Sequence, residues 1–109
     1  MAGKYWFANH PSGRVLAYSG TLDPAAFSAD EEDQVGDVTV TGAALGDIVI
    51  ASFGIDVADV TLSAQVTAAD TVTWHLKNTS GTADLNLGSS TLRLLVIPGG
   101  AVDDIAAKM

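Results

Sequence analysis

An all-β domain is expected from this chain: an antiparallel β-sandwich or jelly-roll-like barrel of about six to eight short strands, preceded by an extended N-terminal arm. Three features of residues 35–98 lead to that expectation. Val, Thr, Ala, Ile and Leu dominate, and β-branched side chains suit a pleated, half-buried surface. Apolar and polar residues alternate with a period of two. Gly, Asn and Asp break the alternation at short intervals, as turns between strands do.

The arm, residues 1–34, has a different texture. It holds Tyr5, Trp6, Phe7, Tyr18 and Phe27, together with Pro11, Pro24 and the acidic run Asp30-Glu31-Glu32-Asp33. Within it, residues 14–21 read as a strand. In residues 37–41 Val38 and Val40 point inward, and Gly42-Ala43-Ala44-Leu45-Gly46 turns the chain into a strand over 47–53. Residues 60–66 form the clearest strand, with Val60, Leu62, Ala64 and Val66 on one face and Thr61, Ser63, Gln65 and Thr67 on the other. Residues 71–77 repeat the pattern, placing Val72, Trp74 and Leu76 inward and Thr71, Thr73, His75 and Lys77 outward. The intervening Thr67-Ala68-Ala69-Asp70 suits a hairpin turn. Asn78-Thr79-Ser80-Gly81 then breaks the chain, a short strand is expected near 85–87, and a last one over 91–97. Pro98-Gly99-Gly100 leads into the tail, residues 99–109, of which 102–109 reads either as a helical turn capped by Asp103 or as a disordered end. The layout is thus an arm (1–34), a sandwich (35–98) and a tail (99–109).

Two strands are apolar on both sides. Ile48-Val49-Ile50-Ala51 has no polar face, and in residues 91–97 Leu95 and Ile97 oppose Leu92, Leu94 and Val96. A two-layer sandwich covers only the inner face of each sheet. The surplus must meet the arm or another subunit, and Val49, Leu95 and Ile97 are the candidate subunit contacts. Tyr5-Trp6-Phe7 reads as an anchor docking into a sugar, a neighbouring subunit or a larger protein surface, because three consecutive large aromatics cannot all be buried in one small domain.

Composition and motifs exclude much else. Five Lys and Arg stand against 13 Asp and Glu, a net charge of −8, which disfavours nucleic acid and polybasic membrane contact. No apolar run approaches the ~18 residues of a membrane span, and no secretory leader is recognisable, so a soluble protein made in the cytoplasm is expected. At 48% hydrophobic residues the chain is built for a packed core and not for disorder. The absence of cysteine removes disulfides and thiolate chemistry. His10 and His75 are far apart in sequence, and no serine sits in a nucleophile elbow, so no catalytic constellation and no cofactor are expected. The run Asp30-Glu31-Glu32-Asp33 lacks the ligand spacing of a calcium loop and reads as a solvated segment. Asn78-Thr79-Ser80 matches a glycosylation acceptor but reads better as an Asn turn.

Residues 37–47 (DVTVTGAALGD), 60–74 (VTLSAQVTAADTVTW) and 78–81 (NTSG) together resemble a module common in structural proteins of tailed bacteriophages. The module occurs in small head-decoration or cement proteins and at the ends of tail fibres, and the likeness covers about residues 35–97. The resemblance implies a non-enzymatic β-sandwich that works by assembly, often as a trimer. It implies a virion protein on the capsid surface, with the major capsid protein as partner. On that expectation Tyr5, Trp6 and Phe7 anchor the arm, while Val49, Leu95 and Ile97 lie between subunits. The alternative is a tail-associated host-recognition or carbohydrate-binding module, which needs Trp6 or Trp74 exposed as a stacking platform.

Overall fold

The computed structural model describes residues 14–57, 59–81 and 85–109. Among them the chain forms strands β1 (Leu16–Leu22), β2 (Asp33–Thr39), β3 (Ile48–Phe53), β4 (Val60–Ala68), β5 (Thr71–Asn78) and β6 (Ser90–Ile97), then one helix, α1 (Gly99–Ala107). The strands make two three-stranded antiparallel sheets, ordered β1-β6-β3 and β2-β5-β4. Only β4 and β5 are joined as a hairpin. Every other strand-to-strand connection passes from one sheet to the other, which is jelly-roll winding of a two-layer sandwich. Fold class therefore agrees with the sequence.

The core is built from the two central strands, each paired on both sides. β5 contributes Val72, Trp74 and Leu76, and β6 contributes Leu92, Leu94 and Val96, all buried. Val60 and Val66 of β4 complete the wall, while Phe27, Val40 and Ala43 enter from connections. Phe27 is fully buried although it lies between β1 and β2, and its N–H donates to the Leu85 carbonyl at 2.6 Å. Space for the Trp74 indole comes from its register partner Gly36, where a Cβ would lie 2.4 Å from Cζ2 of the indole. A glycine inside a strand here marks close packing rather than a bend.

Several boundaries differ from the sequence reading, each for a local reason. β2 begins at Asp33 rather than 37, and β1 pairs along its whole length with β6. Much of residues 14–34 thus belongs to the sandwich. The acidic run looked solvated, yet its backbone is tied down. Asn78 N–H donates to the Glu32 carbonyl at 2.8 Å, Glu31 N–H to the Asn78 carbonyl at 2.9 Å, and Gly81 N–H to Asp30 Oδ1 at 3.0 Å. The Asn78 side chain is the hub of this joint. It is fully buried, its Nδ2 donates to the Ala29 carbonyl, and its Oδ1 accepts from the Ser80 N–H and hydroxyl. This is the expected Asn turn, buried because a second turn packs over it.

The hairpin loop is tighter than expected, Ala69-Asp70 between Ala68 and Thr71, with a bulge between Val66 and Ala68. Asp70 sits at φ 61°, which Asp tolerates better than most residues. Its Oδ1 accepts the Gly42 N–H at 2.7 Å and so joins this hairpin to the β2–β3 turn. Near 85–87 only Leu85 pairs, as a single bridge to Phe27. The tail is helical, but α1 starts at Gly99, and Asp103 lies inside it rather than capping it. The first-turn Gly99 N–H is taken by Asp47 Oδ1 at 3.0 Å, a cap supplied from the start of β3 across the fold. Ala101 of this helix is fully buried.

Candidate functional site

With the inner faces consumed by the core, the outer faces are the sheet surfaces left open, and these differ sharply. On the β1-β6-β3 sheet the outward side chains are Ala17, Ser19 and Thr21 from β1, Arg93, Leu95 and Ile97 from β6, and Ile48, Ile50 and Ser52 from β3. Register sets them in rows across the sheet: Ala17–Leu95–Ile50, Ser19–Arg93–Ser52, and Ile97 beside Ile48. Ile50 is 55% exposed, Ile48 44% and Leu95 39%. A shallow hollow of about 420 Å³ lies among Ala17, Ser19, Ile50, Ser52, Arg93 and Leu95. Arg93 is the one charged residue pointing outward from these three strands, and no carboxylate accompanies it in a chain that carries 13.

The outer face of β2-β5-β4 is polar. Its rows run Asp33–Lys77–Thr61, Val35–His75–Ser63 and Asp37–Thr73–Gln65. Thr73 donates to Asp37 Oδ1 at 2.6 Å and shares a 2.7 Å hydroxyl contact with Thr67. Asp33 Oδ2 lies 3.5 Å from His75 Nδ1, and Lys77 Nζ lies 3.3 Å from Glu31 Oε2. Such half-exposed pairs contribute at most ~1 kcal/mol each. A groove on this face is lined by Asp33, Thr61, Ser63, Gln65, His75 and Lys77, with no Phe, Tyr or Trp among the described residues that line it. Among the described residues no group of three or more His, Asp or Glu is placed to hold a metal ion, and no helix is long and apolar enough to cross a membrane.

No protein-family model, curated protein or solved structure matches this chain.

The residues singled out from sequence fall into three groups. Leu95 and Ile97 lie on the outward apolar face, as the alternation of β6 demanded. Val49 does not: it points inward and packs against the core beside Ala51 and Phe53. The outward members of β3 are its neighbours Ile48 and Ile50. Parity carried that signal, because Ser52 shares its face with Ile48 and Ile50 while the large Phe53 shares the face of Val49. Tyr5, Trp6 and Phe7 lie outside the described residues. Trp74 is buried in the core, so it offers no stacking platform for a sugar. Arg93 and the small residues Ala17, Ser19 and Ser52 were not distinguished in the sequence. They belong to three strands distant along the chain, and only pairing sets them in adjacent rows.

Proposed function

We propose that this chain is a non-enzymatic structural protein of a tailed-phage virion, one that decorates and cements the capsid exterior as a homo-oligomer. The observation carrying the assembly part is the outward apolar face of β1-β6-β3, where Ile48, Ile50 and Leu95 are exposed in one contiguous patch. Patches of this kind on a small domain mark interaction surfaces. The capsid setting comes from the resemblance of residues 35–97 to phage decoration modules, which also supports a trimer and a major capsid protein as partner. Cementing needs only many copies of a modest interface, since multivalent attachment multiplies weak contacts. The acidic character of the chain suits a protein that must stay soluble before assembly and avoid packaged nucleic acid.

Light scattering of the purified chain at micromolar concentration tests the reading together with co-sedimentation on capsids lacking the protein. An oligomer that binds the particles, and a Leu95→Asp variant that does neither while staying folded, are expected. A monomer that ignores capsids overturns it. The carbohydrate-binding alternative draws on the polar groove of the opposite face, but among the described residues that groove offers a sugar no Phe, Tyr or Trp ring to stack on.

A further inference from the structure

The hollow on the β1-β6-β3 face has a chemistry of its own. Its outward lining combines three small side chains, Ala17, Ser19 and Ser52, with three large ones, Ile50, Leu95 and Arg93. The small residues leave room and the large ones bound it. Among the described residues Arg93 makes no ion pair, the cationic partners of both pairs being His75 and Lys77 on the other sheet. A carboxylate ligand would satisfy the guanidinium but leave the apolar floor uncovered. An aromatic ring does both, filling the hollow and stacking on the cation through its negative π-face.

The chain carries its own supply of such rings in Tyr5-Trp6-Phe7. The described chain begins at Arg14, beside β1, an edge strand of this same sheet. Residues 8–13, fully extended, span roughly 20 Å, enough to pass from one subunit to another packed beside it. We propose that Tyr5-Trp6-Phe7 of one subunit fills this hollow on a second copy, with Trp6 stacked on Arg93. This rests on the assembly reading above, and deepens it by naming what crosses between copies. That reading leaves the face open in a free subunit, so the segment that closes it comes from the neighbour. The occupant explains why a strongly acidic chain keeps a single cation and no anion on this face.

A chain without cysteine allows a direct test. Full-length Ala8→Cys protein is mixed with Ser52→Cys protein and oxidised. The expected product is the mixed disulfide dimer, at least fivefold above the yield with Ser63→Cys on the opposite sheet. Adding Trp6→Ala to the first chain, or Arg93→Ala to the second, lowers that yield at least fivefold. Equal yields with Ser52→Cys and Ser63→Cys overturn the proposal. So does a disulfide that the Ala8→Cys/Ser52→Cys double variant closes within one chain in preference to between chains. Light scattering on the same samples separates the failures. An oligomer without the specific crosslink refutes arm exchange and leaves assembly standing, whereas a monomer refutes both.

Discussion

The two sheets of this protein are alike inside and opposite outside. Both have a central strand with three successive inward residues that are apolar and buried, Val72, Trp74 and Leu76 in one and Leu92, Leu94 and Val96 in the other. Outside, the β2-β5-β4 sheet shows Thr, Ser, Gln, His, Lys and Asp joined by hydrogen bonds and two half-exposed ion pairs. The β1-β6-β3 sheet shows Ile48, Ile50, Leu95 and Ile97 to one side of the row Ser19–Arg93–Ser52. Water stabilises the first arrangement. The second leaves several large aliphatic side chains in water, at a cost of ~25 cal/mol per Å² of apolar area that a partner would cover. The difference teaches that core formation does not account for the apolar content of β3 and β6.

The contrast can be broken first within β6. Leu94→Ala, on the inward side, is expected to cost ~2–5 kcal/mol in urea unfolding, because it opens a cavity in a packed core. Leu95→Ala, one residue along, is expected to cost under ~1 kcal/mol at concentrations where the subunit is free. Equal losses would show that the outer face is packed within the subunit. Next comes the interface itself. Ile50→Asp is expected to weaken self-association by ~2 kcal/mol or more, about thirtyfold in dissociation constant by sedimentation equilibrium, at the scale of an interface hot spot. Ser63→Asp on the polar face should leave association unchanged.

Within the polar sheet, Gly36→Ala should destabilise by ~1–3 kcal/mol, since the new methyl displaces the Trp74 indole. Near-ultraviolet circular dichroism would register the indole's shift. The smallest effect belongs to Asp33→Asn, which breaks the contact with His75 and is expected to cost less than ~1 kcal/mol by thermal or denaturant melting. A larger loss there would mean the polar face is more than a solvated surface.

How much of this was legible from the chain depends on how local the cause is. The alternation of residues 60–66 and 71–77 placed every inward and outward side chain of that hairpin, because a strand's side-chain period is intrinsic to extended backbone. The hairpin turn, the Asn78 turn and the double-sided apolar character of β3 and β6 are likewise local properties. The boundary of β2 was missed because Asp33-Gln34-Val35-Gly36 carries weak alternation and a glycine, and that glycine is there for its register partner Trp74, 38 positions away in the sequence. The start of α1 was missed because its cap is Asp47, distant in sequence. Of the three candidate subunit contacts, Leu95 and Ile97 lie on the outward face and Val49 points inward. The four residues 48–51 carry no marker of phase by themselves, and the one that exists, Ser52 against Phe53, lies at the end of the strand.

Sequence alone thus determined the all-β class, the central hairpin, and the presence of more apolar strand surface than two inner faces consume. All three follow from period, propensity and composition, which act over a few residues. Only the tertiary structure decided that Ala17, Arg93 and Ile50 belong to adjacent rows of one surface. Strand order and register are collective outcomes of how both sheets pack, so no single segment contains them.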